Sequence, residues 1–252
     1  RRSSDLVHNF AGYAIDRAPG PIMYVYPDKE TAGENSQDRI QPLILDSPRL
    51  RSYLTGVEDD KARMRIKLRH LVIYLAWSGS ETSLANKPCR YVFFDEVDKY
   101  QIRAASKEAD PISLGEKRAN TYRASRKAKV MKLSTPTVEA GPIYQAYSTE
   151  AQVRFAYHVA CPECGHFHRM LFENIKWPED ERDPERVEGE SLAWYECPKC
   201  KAEWDDEDRN RAVRAGGWRS EGGRALTVQA YLEAYRPKKI AFHIPSWVSP
   251  FV

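Results

Sequence analysis

At residues 91–98 the sequence reads Tyr91-Val92-Phe93-Phe94-Asp95-Glu96-Val97-Asp98. Four consecutive aromatic or β-branched residues favour a β-strand, and their unbroken apolar character predicts burial on both faces. Because acids end the apolar run abruptly, we expect the carboxyl end of this strand to open on a polar site. The alternative is a buried strand that ends in an ordinary solvated acidic turn.

The acid pair at the end of this strand matches the Walker B motif of nucleoside triphosphatases. In the P-loop class of these enzymes, an acid at the strand tip holds Mg²⁺ and a second carboxylate orients or activates the attacking water. This interpretation assigns Mg²⁺ binding to Asp95 and the attacking water to Glu96.

A second strand is predicted after an intervening polar and basic segment. Residues 128–133 alternate as a strand does and run directly into Ser134-Thr135-Pro136-Thr137. Two strand tips with acidic and hydroxyl side chains fit a parallel sheet that binds its ligand at the carboxyl ends of the strands. In helicase-like motors such a tip senses the γ-phosphate, so Ser134 and Thr135 are candidate catalytic residues. The alternative is a plain turn, because Ser, Thr and Pro are turn-forming residues.

Two C-x-x-C pairs predict a metal centre. Cys161 and Cys164 are separated by 32 residues from Cys197 and Cys200. Four thiolates around one ion fit tetrahedral Zn²⁺ and leave no open coordination position, which indicates a structural site. A redox dithiol is the alternative interpretation.

Four segments in this order resemble the lambda-like, gpA-type family of phage terminase large subunits, namely residues 91–100, Asp110–Leu114, Ser134–Thr137 and Cys161–His166. The resemblance covers nearly the whole chain and points to the ATPase domain of these proteins. It implies an α/β fold of the P-loop NTPase (ASCE or RecA-like) class, with a mainly parallel sheet flanked by helices and an inserted zinc ribbon. It also implies a motor that binds ATP, Mg²⁺ and Zn²⁺ and translocates double-stranded DNA into a procapsid.

The same resemblance implies further partners and a setting. The partners are the small terminase subunit and the portal protein of the procapsid, and packaging implies a homo-oligomeric ring. An endonuclease domain is expected in the full-length protein but not within these residues. Paired C-x-x-C cysteines favour metal over disulfides, and no apolar run approaches a membrane span, so we expect the host cytoplasm and no membrane.

The amino-terminal residues are candidates for phosphate binding. A helix is predicted over residues 6–15, and by its position Ser4 matches the family's Walker A Ser/Thr, while Arg1 and Arg2 fall in its loop. No G-x-x-x-x-G-K-[ST] motif occurs, and Arg2-Ser3 stand where the family has Gly-Lys. We therefore expect the chain to begin inside its phosphate-binding loop. The alternative is a helix N-cap with solvated basic neighbours.

A basic segment lies between the two strand tips. Residues 115–127 predict a helix that carries Arg118, Arg123 and Arg126, which are candidates to contact DNA phosphates or the ATP of a neighbouring subunit. The alternative is a solvated charged face.

Length and composition allow one large domain or two small ones. With 252 residues, 42% of them hydrophobic, the chain can bury a real core, and a net charge of +3 neither demands nor excludes nucleic acid. We expect an ATPase core over residues 1–152, a zinc-ribbon insertion over 153–237 and a returning strand of the core over 238–252. Two other functions stay open, a helicase-like ATPase and a non-catalytic zinc-ribbon module that binds nucleic acid.

Overall fold

The computed structural model describes residues 4–85, 87–100 and 110–249. The chain divides into two compact units, Arg1–Gln145 and Ala146–Val252. Within the described ranges, no helix is both long enough and apolar enough to cross a membrane.

The first unit is a six-stranded sheet with helices packed on it. The strands are β1 (Ile22–Tyr26), β2 (Lys61–Ala62), β3 (Arg65–Lys67), β4 (Val72–Trp77), β5 (Tyr91–Asp95) and β6 (Lys129–Leu133). The helices are α1 (Ser4–Arg17), α2 (Lys29–Asn35), α3 (Gln41–Asp46), α4 (Pro48–Arg51), α5 (Glu81–Leu84), α6 (Pro111–Lys117), α7 (Asn120–Arg123) and α8 (Pro142–Gln145). A π-helical turn, Ser36–Ile40, joins α2 to α3, and 3₁₀ turns cover Glu58–Asp60 and Val97–Lys99.

The strand order in this sheet is β2-β3-β4-β1-β5-β6. Strands β4, β1, β5 and β6 are parallel, while β2 and β3 add an antiparallel margin. The predicted α/β fold, with a mainly parallel sheet flanked by helices, is confirmed. The two strands predicted from the sequence at residues 91–94 and 128–133 are direct neighbours, β5 and β6.

The central strands are buried on both faces, as the apolar run predicted. On one face Tyr24 and Phe93 are paired in register and belong to the core that also contains the buried side of α1. On the other face Val25 and Phe94 are paired and pack in a separate core with α5. Because side chains alternate along a strand, Asp95 lies on the same face as Phe93, the face that α1 covers.

The second unit contains two small sheets. Its strands are β7 (Val153–Ala160), β8 (Phe167–Arg169), β9 (Ile175–Lys176), β10 (Trp194–Glu196), β11 (Glu203–Trp204), β12 (Gly217–Ser220) and β13 (Ile240–Phe242). Its helices are α9 (Pro184–Gly189), α10 (Asp206–Ala215) and α11 (Val228–Tyr235), with a π-helical turn Ala146–Glu150 and 3₁₀ turns Phe172–Asn174 and Ser246–Val248. One sheet has the order β12-β7-β13 with β8 also paired to β7, and the other has the order β11-β10-β9.

The carboxy-terminal strand lies in a sheet of the second unit. We expected residues 238–252 to provide a returning strand of the ATPase core; in the structure β13 pairs in parallel with β7, and the two units divide after Gln145. Strand β7 is long enough to pair β12 along one edge and β13 along the other. A stacked contact between Phe155 and Phe242, 5.2 Å between ring centroids, holds β13 in this place.

Candidate active site and metal centre

Asp95 is buried where the carboxyl end of β5 meets the start of α1. The residue is 5% exposed, and its carboxylate accepts a hydrogen bond from the hydroxyl of Ser4, the first residue of α1. The amino end of α1, which carries the positive end of the helix dipole, therefore lies beside the strand tip. The structure brings together two residues that the sequence had named separately.

One oxygen of the Asp95 carboxylate makes no hydrogen bond to the described residues. This atom, Oδ1, is buried. Burial raises the pKa of Asp95; the Ser4 hydroxyl lowers it, but the charge of Glu96 adds to the rise. A buried carboxylate with an unsatisfied oxygen is stabilised by a cation at that oxygen. The site therefore fits a hard divalent cation such as Mg²⁺, which prefers oxygen ligands.

Tyrosines line the interior next to this carboxylate. Burial raises the pKa of Tyr24, Tyr26 and Tyr100, and the charge of Asp95 adds to the rise in each, so all three hydroxyls stay protonated. The Tyr100 hydroxyl donates a hydrogen bond to the carbonyl of Val25 at 2.7 Å. This bond ties the turn after β5 to the neighbouring strand β1.

Glu96 forms the turn that ends β5. Its backbone is left-handed, with φ 54° and ψ 48°, which is uncommon for a residue other than glycine. The side chain is 45% exposed and forms an ion pair with Lys99 Nζ at 3.1 Å. The two acids of the motif therefore differ, since Asp95 is buried beside α1 and Glu96 reaches solvent, where water can approach it.

The second strand tip lies beside this turn. Leu133, the last residue of β6, is paired with Asp95, so Ser134 follows at the same edge of the sheet. The Ser134 hydroxyl accepts a hydrogen bond from the backbone N–H of Asp98 at 3.2 Å and donates one to the carbonyl of Thr135 at 3.1 Å. Thr135 is exposed. Of the two hydroxyl residues named from the sequence, Ser134 therefore contacts the acidic turn.

Asp98 is a residue of this region that sequence reasoning did not single out. Its Oδ2 accepts hydrogen bonds from the backbone N–H of Thr137 at 2.9 Å and from the Thr137 hydroxyl at 3.1 Å, and its Oδ1 accepts one from the backbone N–H of Ile143 at 2.9 Å. A third acid close behind the pair Asp95-Glu96, followed later by a Ser/Thr-rich tip, was the signal in the sequence that could have identified it.

Arg118 and Arg123, two of the three candidate arginines, contact α6, which packs on the other side of the sheet. Gly115 of α6 packs against the ring of Phe94, which points away from the face that carries Asp95. The segment expected as one helix is split into α6 and α7, and the environments of its arginines differ. Arg118 donates a hydrogen bond to a carbonyl of α6 at 3.2 Å, Arg123 forms an ion pair at 3.6 Å with an acid of α6, and Arg126 is exposed.

The cysteine pairs form two knuckles of the same backbone design. In the first, the N–H of Gly165 donates to the carbonyl of Cys161 at 2.9 Å, and in the second the N–H of Lys201 donates to the carbonyl of Cys197 at 3.0 Å. Both Gly165 and Lys201 are left-handed, with φ of 66° and 64°. Each tight turn brings its two thiols to the same side of the chain, as the C-x-x-C spacing predicted.

The four thiols of Cys161, Cys164, Cys197 and Cys200 lie within 4.8 Å of one another. The Sγ–Sγ distance is 3.7 Å between Cys161 and Cys200 and 3.9 Å between Cys164 and Cys197. A tetrahedral ion with metal–sulfur bonds of about 2.3 Å sets its ligand atoms about 3.8 Å apart. The group could therefore hold one metal ion.

Protonation of the thiols also fits a cation. Burial raises the pKa of Cys197, but hydrogen bonds from the backbone N–H groups of Cys200 and Lys199 outweigh it and lower the pKa to about 7. The backbone N–H of Ala202 lowers the pKa of Cys200, yet burial and the neighbouring thiols raise it to about 12. The thiolate of Cys197 therefore forms readily, whereas the negative charge of neighbouring thiols disfavours a second thiolate at Cys200. A cation bound among the four sulfur atoms would offset this repulsion.

Arg1 and Arg2, which the sequence predicted as phosphate contacts, lie outside the described residues.

Residues 2–218 match the model of the family described as phage terminase large subunit gpA, ATPase domain. No curated protein matches the chain.

Proposed function

The chain belongs to the family of gpA-type phage terminase large subunits, whose ATPase domain it matches, and from this premise we propose that it is the motor that translocates double-stranded DNA into a procapsid. The family implies ATP hydrolysis. The observation that carries the proposal is the acid pair after β5. Asp95 is buried beside the start of α1 with an oxygen to spare, and the adjacent Glu96 reaches solvent.

In this proposal Asp95 and Ser4 hold the metal of the nucleotide. When bound there, Mg²⁺ would neutralise part of the phosphate charge. The Ser4 hydroxyl already contacts the Asp95 carboxylate, so the two residues offer oxygen ligands at one place, and the N–H groups at the start of α1 favour phosphate. Arg1 and Arg2 precede that helix in the sequence and stay our expected phosphate contacts.

Glu96 is proposed to hold the attacking water, with Ser134 and Thr135 sensing the γ-phosphate. The Glu96 carboxylate is partly exposed at the left-handed turn and forms an ion pair with Lys99. Ser134 lies at the tip of the neighbouring strand and bonds the same turn. Both strand tips therefore offer polar groups to one reacting phosphate.

The four cysteines are proposed to hold one structural Zn²⁺ in a zinc ribbon. The spacing of their sulfur atoms and the two matching knuckles support this assignment. Because four thiolates complete the coordination shell of zinc, the ion would stabilise the fold around the knuckles and take no part in hydrolysis.

The family implies DNA and packaging partners in general. We propose double-stranded DNA, the small terminase subunit and the procapsid portal as those partners, with a homo-oligomeric ring in the host cytoplasm and an endonuclease domain elsewhere in the full-length protein. Arg118 and Arg123 contact α6, on the face of the sheet opposite to Asp95, and Arg126 is exposed; the proposed targets of all three are DNA or the ATP of a neighbouring subunit.

Replacing Glu96 by glutamine in the full-length protein tests the catalytic assignment. ATP binding should persist, while DNA-stimulated hydrolysis should fall about 10²–10⁴-fold, the usual contribution of a positioned general base. Glu58→Gln is the matched control, because Glu58 is an exposed acid of the same unit with a side chain that is 94% exposed. If Glu96→Gln kept DNA-stimulated hydrolysis within a few-fold of the parent, the binding-module interpretation would replace this one.

A further inference from the structure

The acidic turn after β5 is fastened to the loop that follows β6. Asp98 accepts three hydrogen bonds from this loop, two from Thr137 and one from Ile143, and its own N–H donates to Ser134. These contacts join residues that are 36 to 45 positions apart in the sequence. The backbone N–H of Asp98 therefore connects the turn that carries Glu96 to Ser134, and its side chain connects the same turn to Thr137 and Ile143.

The contact is closely fitted. A Cβ atom placed on Gly141 would lie only 2.6 Å from Oδ2 of Asp98, so the loop wraps directly over the carboxylate. Both carboxylate oxygens face N–H or O–H donors of this loop. Asp98 is therefore placed to hold the loop, whereas the free oxygen of Asp95 is the one placed to receive a cation.

The turn that contains the two acids is short and anchored in the core. Only Val97 separates Glu96 from Asp98, and Val97 is fully buried in the core on the α6 face. The N–H of Lys99 donates to the carbonyl of Glu96 at 2.9 Å and closes the 3₁₀ turn. Glu96 and Asp98 therefore belong to one short turn that is anchored by Val97 and closed by a backbone hydrogen bond.

The segment 134–143 that Asp98 contacts is followed in the sequence by the end of the first unit. Ile143 lies in α8, and the second unit begins at Ala146, directly after that helix. A shift of Asp98 would thus be applied to Ser134 at one end of the loop and to the start of α8 at the other.

We propose that Asp98 is a positioning residue that couples the state of the nucleotide at Glu96 and Ser134 to the segment 134–145, and through it to DNA movement. This inference rests on the proposed motor function. The carboxylate is required because asparagine offers one acceptor oxygen and one NH₂ group, and that NH₂ would face a donor N–H of either Thr137 or Ile143.

The test uses the full-length protein with double-stranded DNA. In Asp98→Asn, the ratio of ATP turnover with DNA to turnover without DNA should fall about 5- to 150-fold, the range of an ordinary coupling free energy. The amount of DNA translocated per ATP should fall as well. The KM for ATP should change little, since both carboxylate oxygens of Asp98 are engaged by Thr137 and Ile143. Asp59→Asn, an exposed acid of the same unit, is the control.

Variants of Thr137 keep the proposal falsifiable if Asp98→Asn folds poorly. Thr137→Val removes the hydrogen bond from the Thr137 hydroxyl to Asp98 and should lower the stimulation of ATP turnover by DNA. Thr137→Ser keeps a hydroxyl and should preserve this stimulation. The double variant Asp98→Asn with Thr137→Val should be no worse than Asp98→Asn alone. Equal losses of stimulated and unstimulated turnover, or full coupling in both single variants, would overturn the role of Asp98 while leaving the motor intact. A parent protein without DNA-stimulated ATPase activity would overturn the motor and this inference together.

Discussion

Replacing Cys197 by serine should empty the four-cysteine centre. Serine keeps the size of the side chain but supplies no thiolate, so the ion loses one of four ligands. Structural zinc contributes on the order of 10–16 kcal/mol of apparent binding free energy to small zinc domains. That is as large as the whole net stability of a typical domain, about 5–15 kcal/mol. We therefore expect the region around the knuckles to unfold locally rather than to relax slightly.

The packing around the thiols indicates how far the damage extends. Cys161 and Cys197 are 2% and 0% exposed and share one core with Val159, Tyr195 and Trp204. Loss of the ion therefore frees two buried positions of that core. The first unit has its own two cores, and neither contains these cysteines.

Metal analysis and hydrogen exchange would measure both effects. Bound zinc should drop from about one equivalent per chain to nearly none. Exchange should rise across residues 153–205 and stay unchanged in β1 and β5. Cys89→Ser is the control, because Cys89 is buried in a core of the first unit, where burial raises its pKa to about 12. Full zinc occupancy in Cys197→Ser, with parent-like exchange, would refute the assignment.

Two further predictions concern the first unit. Asp95→Asn should weaken Mg²⁺-dependent ATP binding as well as turnover, unlike Glu96→Gln, because it removes the oxygen left free for a cation. Calorimetric titration of ATP with and without Mg²⁺ checks this prediction. An unchanged Mg²⁺ dependence would exclude Asp95 as a ligand. Burial lowers the pKa of His8, with Arg39 adding to the shift and Asp5 opposing it, so the folded state binds this proton less readily than the unfolded state. The free energy of unfolding should therefore fall as the pH drops below about 6.5, and urea titrations should show a smaller fall in His8→Gln; equal pH slopes would exclude His8 as the source.

Much of the site could be predicted because its signals are local. The run 91–94 is apolar at every position, so it indicated a doubly buried strand without knowledge of its neighbours. The spacing of each C-x-x-C pair fixes a turn of a few residues, and the structure shows those turns.

What escaped prediction depends on contacts between distant residues. Asp98 looked like one more acid in a polar turn, and its role became visible only when Thr137 and Ile143 were brought to it. The strand at 240–242 was recognisable, but nothing in three residues states whether β7 or the larger sheet accepts it. The basic segment was expected as one helix, yet Arg118 and Ala119 close tighter i to i−3 turns that separate α6 from α7.

The left-handed backbone of Glu96 makes this position subject to two different constraints. A left-handed residue other than glycine costs roughly 1–2 kcal/mol, and asparagine, aspartate or glycine bear that conformation with least strain. The proposed chemistry, in contrast, needs a long carboxylate that glycine and asparagine lack. Glycine or asparagine at position 96 should therefore allow folding but abolish the proposed hydrolysis. A β-branched residue at this position should destabilise the left-handed turn itself. Tolerance for folding and tolerance for activity follow different orders at this one residue, so a natural variant with glycine or asparagine at position 96 would signal a fold retained after its original activity was lost.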